Sequence, residues 1–284
     1  SDLRRQRQMC IRDRNKEDNE WKPERYHEYG YFPGCVDFMD VEVKFTHLNK
    51  GDADHASIAA ASIKLLNYAD IDPLVLDMNV FKCSGHDQLW QGNLEVFDAL
   101  KEHNMKRLKE SGIKIITCSC AECYRTFAVD YDLPGTLGIK VEHITQTLQG
   151  RGLKFKAPEN VTVSYHDPCR LGRMMGEYEA PRDLIQLVDG ATMVELENNK
   201  ERALCCGVSS MMYCNDATKA VRRKRLDQGT DAGIDIMLGG CPKCYMHMQC
   251  MLNEERMNPE EGHHHDYEMM DLMQFLVACL EDEK

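Results

Sequence analysis

The chain has 284 residues, 43% hydrophobic and 29% charged, which is enough apolar material for one large domain or two smaller ones without covalent staples. A net charge of −12 disfavours nucleic acid and anionic lipid as partners, and no run of about 18 apolar residues occurs, so direct membrane insertion is not expected. No secretory pattern is visible either, which points to the reducing cytoplasm and argues against a disulfide framework for the 14 cysteines.

In chain order, residues 1–25 carry Arg4, Arg5, Arg7, Arg12 and Arg14 with little apolar periodicity and read as a disordered or non-native leader. Short β-rich runs then alternate with helical stretches, the signature of an α/β fold. Expected strands are Tyr29 to Phe32, Pro73 to Leu76, Ile113 to Thr117, Val161 to Tyr165, Met193 to Leu196 and Ile234 to Leu238. Expected helices are His55 to Tyr68, Leu89 to Glu110, His143 to Leu148, Pro181 to Leu187, Ala217 to Gln228 and Cys244 to Leu252, followed by an amphipathic closing helix over Asp266 to Leu280.

The organisation repeats once. Pro33-Gly34-Cys35 ends an apolar run in the first half and Asp167-Pro168-Cys169 ends one in the second. Cys83-Ser84-Gly85 is matched by Cys205-Cys206-Gly207, and Cys120-Ala121-Glu122-Cys123 by Cys241-Pro242-Lys243-Cys244. The architecture expected is therefore two tandem, pseudo-symmetric cysteine-rich α/β units with short parallel strands and flanking helices. The first unit covers 26–152 and the second 153–284, the latter including the closing helix.

A C-x-x-C pair at a strand-to-helix turn places its sulfurs near unpaired N–H groups that favour thiolate, the metal-binding form. Alone, such a pair fits a redox dithiol as well as a metal site. The added cysteines decide between them: Cys169, Cys205, Cys206, Cys241 and Cys244 offer five sulfurs, one more than structural zinc takes, so soft thiolate ligation favours iron–sulfur. Cys10, Cys214, Cys250 and Cys279 lie outside these patterns and read as small buried hydrophobes.

The ordered set Cys169, Cys205, Cys206, Cys241 and Cys244 resembles the CCG cysteine-rich domain found in the catalytic component of heterodisulfide reductase and in its relatives. The run Tyr165-His166-Asp167-Pro168-Cys169-Arg170-Leu171-Gly172-Arg173 is also similar to iron–sulfur components of lactate and glycerol-3-phosphate oxidising systems. The resemblance implies two iron–sulfur clusters and, in the second half, a non-cubane [4Fe-4S] cluster held by those five cysteines. It also implies that the disulfide of coenzyme M and coenzyme B is split between two facing clusters.

The first half departs from the pattern. Cys35, Cys83, Cys120 and Cys123 match, but Ser84 stands where the second cysteine of the pair belongs, so a fifth ligand has to be Ser84 or the nearby Cys118. A cubane or modified [4Fe-4S] cluster, a non-cubane cluster with a substitute ligand, and structural zinc as the weakest of the three all remain open there.

Two further residues are candidates for chemistry. His166 either protonates a departing thiolate or orients the ligand loop by a hydrogen bond. Lys243 either steers an anionic substrate or offsets cluster charge, the second being preferred. His263-His264-His265 reads as a solvated loop, and the methionines near Met174-Met175 and Met211-Met212 as adaptable filling or a thioether pocket.

Neither a G-x-G-x-x-G turn nor a Walker loop occurs, which puts nucleotide and flavin chemistry on another chain. The ferredoxin run of four closely spaced cysteines is missing too, so electrons are expected from a separate ferredoxin-like iron–sulfur protein. Behind it the resemblance implies a flavin-bearing component of the same complex. The leading functional expectation is a catalytic component that reduces a small disulfide, with the coenzyme M–coenzyme B heterodisulfide as first candidate. Its rivals are an electron relay in a lactate-, glycerol-3-phosphate- or quinone-linked system, and a zinc-binding assembly module.

Overall fold

The computed structural model describes residues 21–34, 36, 54–208, 215–262 and 264–281. Cys10, Cys35, Cys214, Met211, Met212 and His263 lie outside the described residues, as do the five leader arginines.

The first half runs β1 (Tyr29–Phe32), α1 (His55–Tyr68), β2 (Leu74–Val75), α2 (His86–Trp90), α3 (Leu94–Ser111), β3 (Ile115–Cys118), α4 (Ala121–Arg125), α5 (Leu133–Leu137), β4 (Lys140–His143) and α6 (Ile144–Leu148). The second runs β5 (Phe155–His166), α7 (Gly172–Met175), α8 (Glu179–Gln186), β6 (Val188–Met193), α9 (Asp216–Asp231), β7 (Ile236–Gly239), α10 (Pro242–Met257), β8 (Glu268–Asp271) and α11 (Leu272–Ala278). Each half builds a four-stranded sheet, ordered β2-β1-β3-β4 and β6-β5-β7-β8, with every pair parallel. The central strands β1, β3 and β7 read as nearly continuous apolar runs because a parallel sheet is covered by helices on both faces.

The repeat holds at the level of register. Phe32 pairs with Cys118 in one half and His166 with Gly239 in the other. Cys35 and Cys169 each fall three residues beyond the first member of those pairs, and Cys120 and Cys241 each fall two beyond the second. The fourth strands end alike: His143 and Asp271 each form a reciprocal capping box, with Gln146 and Gln274 respectively. Neighbouring strands leave β1 and β5 in opposite directions, so the cysteine turns open at the topological switch point beyond the strands' carboxyl ends, where open α/β sheets bind ligands.

The halves are packed together. Helix α11 lies against α1, with the Gln274 amide donating to the Asp54 carbonyl and the Ser57 hydroxyl. Burial pushes the His143 imidazole down to about 4, so the ring is neutral and its Nε2–H donates to the Gly240 carbonyl of the other half at 3.1 Å.

Several expected elements are corrected. The helix read over Leu89 to Glu110 breaks into α2 and α3, because Gly92 turns the chain with φ +81°. The strand read over Met193 to Leu196 ends where it was expected to begin, since β6 joins β5 from Phe155 onward around a register shift between Lys156 and Val161. The closing helix begins as a strand: Glu268–Asp271 completes the second sheet, and Asp271 then caps α11. Strand β4, which no sequence pattern marks, does the same for the first sheet. Trp21, placed in the leader, is buried edge-on against Phe81.

In the histidine run read as solvated, His264 is exposed but His265 is not. It is buried, with Nδ1 at 2.6 Å from Glu255 and Nε2 at 3.1 Å from Asp227. Burial opposes its protonation, but the two carboxylates outweigh it and raise the imidazole above its ordinary value of 6.5. Its stabilising effect is therefore complete below pH 6.5 and is lost as pH rises through the raised folded value. Urea midpoints are expected to fall across that window in the native chain and to flatten in His265→Asn; an equal fall in both assigns the slope to another group.

Candidate metal centre

Five cysteines of the second half surround one cavity of about 380 Å³. Cys169 reaches it from the turn after β5, Cys205 and Cys206 from the extended segment before α9, and Cys241 and Cys244 from the cap and first turn of α10. The cysteine pair is held in place by Gly207 (φ +78°), where an added Cβ would lie 2.5 Å from the Thr218 carbonyl. Gly85 plays the matching part in the first half (φ +82°), with Phe97 2.8 Å from the position of a Cβ.

The sulfurs touch one another. Cys206 is hydrogen-bonded to both Cys205 and Cys244, and Cys241 to Cys244. Those thiol contacts, together with His166, hold Cys206 well below the ordinary thiol range. Contact with Cys206 pushes Cys205 and Cys244 up, contact with Cys120 of the first half does so for Cys241, and burial for Cys169. The ionisation of these crowded sulfurs is thus mutually linked. Ionising the remaining thiols requires cations among them, which is what a thiolate-bound metal provides.

His166 is buried beneath this set. Arg225 donates its Nε–H to His166 Nδ1 at 3.0 Å, so Nδ1 is an acceptor and the ring proton resides on Nε2. That proton is the one available for the hydrogen bond with Cys206. Burial, with the Arg225 charge adding to it, lowers the imidazole below its ordinary range. This hydrogen bond places the ring where it can orient the ligand loop, with its ligand atom within 4.8 Å of those of Cys206 and Cys244.

Lys243 is likewise engaged. Its ammonium lies 2.7 and 2.8 Å from the Asp87 carboxylate oxygens and 2.7 Å from Glu122, both in the first half. Burial opposes this charge, but the two carboxylates outweigh it and raise Lys243 above its ordinary range. Burial raises Glu122, and the hydrogen bond from His86 and the Lys243 charge lower Asp87 against the effect of burial. Lys243 therefore bridges the halves while also lining the cavity.

The mouth of the cavity is cationic. Arg170 and Arg173 line it with Met174 and Val208, and Trp90 and Glu122 close it from the first half. The Arg170 guanidinium stacks 3.9 Å from the Trp90 ring centre and donates Nε–H to His86 Nε2 at 3.0 Å.

In the first half, Cys120 and Cys123 are hydrogen-bonded, and Cys120 also touches Cys241 across the divide. The Ser84 hydroxyl contacts Cys123 Sγ at 3.4 Å, and the Gly85 N–H reaches Cys83 Sγ at 3.4 Å. Of the two substitute candidates, Ser84 is thus the one set against these sulfurs; Cys118, enclosed at the end of β3, feels the charge of Cys120. Cys250 and Cys279 are buried, as expected of small hydrophobes.

Sequence reasoning missed His86, Asp87, Trp90 and Glu122, and the two wholly buried arginines Arg222 and Arg225. One signal was present: Glu122 and Lys243 hold the same place in the two C-x-x-C turns with opposite charge.

The family described as CCG, cysteine-rich domain, matches residues 29–128 and 163–249. Among curated proteins, the chain is similar to a component of the dihydromethanophenazine:CoB–CoM heterodisulfide reductase of Methanosarcina barkeri, at 32% identity over 71% of this chain and 52% of that protein. It is similar to the probable iron-sulfur-binding oxidoreductase FadF of Bacillus subtilis at 30% identity, over 72% of this chain and 30% of that protein. The chain spans about half the length of the heterodisulfide reductase relatives it matches. A crystal structure of a hypothetical protein from Helicobacter pylori shares the fold, with a TM-score of 0.58 at 9% identity over 99% of this chain and 54% of that one.

Proposed function

We propose, for a chain that belongs to the CCG cysteine-rich domain family, that it works as an iron–sulfur oxidoreductase component whose second half holds a non-cubane cluster and reduces a small disulfide. The observation that carries this reading is the convergence of Cys169, Cys205, Cys206, Cys241 and Cys244 on one cavity. Such a donor set has one sulfur too many for tetrahedral zinc, which weighs against a zinc-binding assembly module. A bound cluster supplies one-electron transfer and a soft site for sulfur.

This chain's own residues do the rest. Arg170 and Arg173 present cationic groups at the cavity mouth and favour an anionic disulfide over a neutral one. Val208, Met174 and the Trp90 ring supply apolar wall beside them. Hydrogen bonding from His166 to Cys206 fixes the ligand loop and draws electron density from the sulfur. Electrons would come from a ferredoxin-type carrier and, behind it, a flavin, as in the family resemblance; the coenzyme M–coenzyme B heterodisulfide is the first substrate to try. No helix among the described residues is long and apolar enough to cross a membrane.

Ser84 supports a second reading. With serine against Cys123 in place of a cysteine, the first half departs from the family's five-sulfur set, as an electron relay without a disulfide substrate would allow. Anaerobically purified protein is expected to carry iron and acid-labile sulfide rather than zinc. Oxidised protein given one thiol half of the heterodisulfide is expected to develop a new paramagnetic signal. Iron without any thiol-dependent signal favours the relay, and zinc without iron overturns both.

A further inference from the structure

Arg222 and Arg225 lie one turn apart on α9 and are 0% exposed. Neither is paired with a carboxylate among the described residues. Arg222 donates Nε–H to the Cys206 carbonyl at 3.3 Å and lies 2.9 Å through Nη2 from His247 Nδ1. Arg225 donates to His166 Nδ1, to the Asn198 carbonyl at 2.6 Å and to Gln228 at 2.9 Å, all neutral acceptors. Asp167 and Glu195, the carboxylates whose charge reaches Arg225, are held by Arg182 at 2.7 and 2.6 Å. Arg222 Nη1 and Arg225 Nη2 are enclosed without a hydrogen-bond partner among the described residues.

Two unpaired guanidinium ions this deeply buried are costly unless an anion stands nearby. Apart from the carboxylates already held by Arg182, the groups placed to be that anion are the sulfurs: Arg222 fixes the Cys206 backbone at its carbonyl, the Cys206 sulfur is reached through the Arg225–His166 hydrogen bond, and the charge of Cys244 bears on Arg225. The corresponding helix of the first half, α3, meets its cysteine–glycine turn with neutral residues. Phe97 and Leu100 crowd Gly85, and the Asn104 amide binds the backbone of Lys82 and Cys83.

We propose that Arg222 and Arg225 are fixed counter-charges for an anionic cluster at Cys206 and Cys244, and that they set its reduction potential above that of the first-half site. The inference rests on the iron–sulfur reading and adds a direction to it. One electron from a low-potential donor makes a cluster one unit more negative with no proton taken up, and buried positive charge stabilises that reduced form. Electrons that enter at the first half then run down to the second, where the open cavity lies.

The test is a redox titration of the anaerobic, cluster-loaded chain followed by electron paramagnetic resonance. The second-half signal is the one that Cys206→Ala removes. In Arg225→Gln and in Arg222→Gln, the reduced-to-oxidised ratio of that signal at a fixed potential is expected to fall at least about tenfold, which is about 59 mV for one electron. The first-half step should stay in place, and Arg225→Lys should recover most of the shift. Should glutamine abolish second-site iron while lysine keeps it, the counter-charge acts already on cluster binding and the proposal stands. A retained cluster at unchanged potential overturns it, as does equal loss of iron from the glutamine and lysine variants, which reduces both arginines to packing. Native protein without iron overturns the functional reading itself, an outcome distinct from either.

Discussion

Replacing Cys206 with alanine is expected to remove all iron from the second site while the first site keeps its own. Cys206 sits amid the set, in contact with Cys205, Cys244 and His166. Its removal deletes a donor and leaves His166 without its sulfur acceptor. Electron transfer through the chain should fall by more than about 100-fold, the upper end of what loss of a mere supporting hydrogen bond costs. Iron per chain and the paramagnetic spectrum of the variant check this directly. Loss of both centres would instead tie the two sites into one, a real alternative given that Cys120 touches Cys241.

Lys243→Met is expected to destabilise the fold strongly while leaving every sulfur in place. The ammonium side chain is 4% exposed and bridges Asp87 and Glu122. Removing it strands the Glu122 carboxyl in a setting that already pushes its protonation upward. Breaking a buried ion pair from one side costs about 3–5 kcal/mol; the contribution of Asp87 is discounted, since its side chain is 35% exposed. Denaturant unfolding of the variant should show this loss, and adding Glu122→Gln should return much of it, because the stranded charge is then gone. No recovery in the double variant would mean that Lys243 matters through the packing of its stem.

How far this was legible in the sequence varied with distance along the chain. The two-fold repeat, the strands leading into the cysteine turns and the gathering of Cys169, Cys205, Cys206, Cys241 and Cys244 followed from local patterns, because β-rich runs and turn cysteines announce themselves within a few residues. Strands β4 and β8 did not: Lys140–His143 and Glu268–Asp271 are edge strands of mixed polarity, recognisable only once their neighbours are in place. Arg222 and Arg225 were hidden for a different reason. In a helix rich in arginine and lysine they look like a solvated face, and what buries them is a tertiary arrangement around His166 and Cys206. His265 was misread in the same way, since its carboxylate partners Asp227 and Glu255 belong to other helices.

Among the described residues, every pairing between the eight strands closes within 29–143 or within 155–271. During synthesis at about 5–20 residues per second, the earlier sheet has on the order of ten seconds to assemble before the later one has emerged. The cysteine-lined chamber has no such head start, because Trp90 and Glu122 wait on one side until Cys241 and Cys244 arrive on the other. Translation therefore writes a schedule into the molecule: scaffold first, docking second, inorganic cargo last.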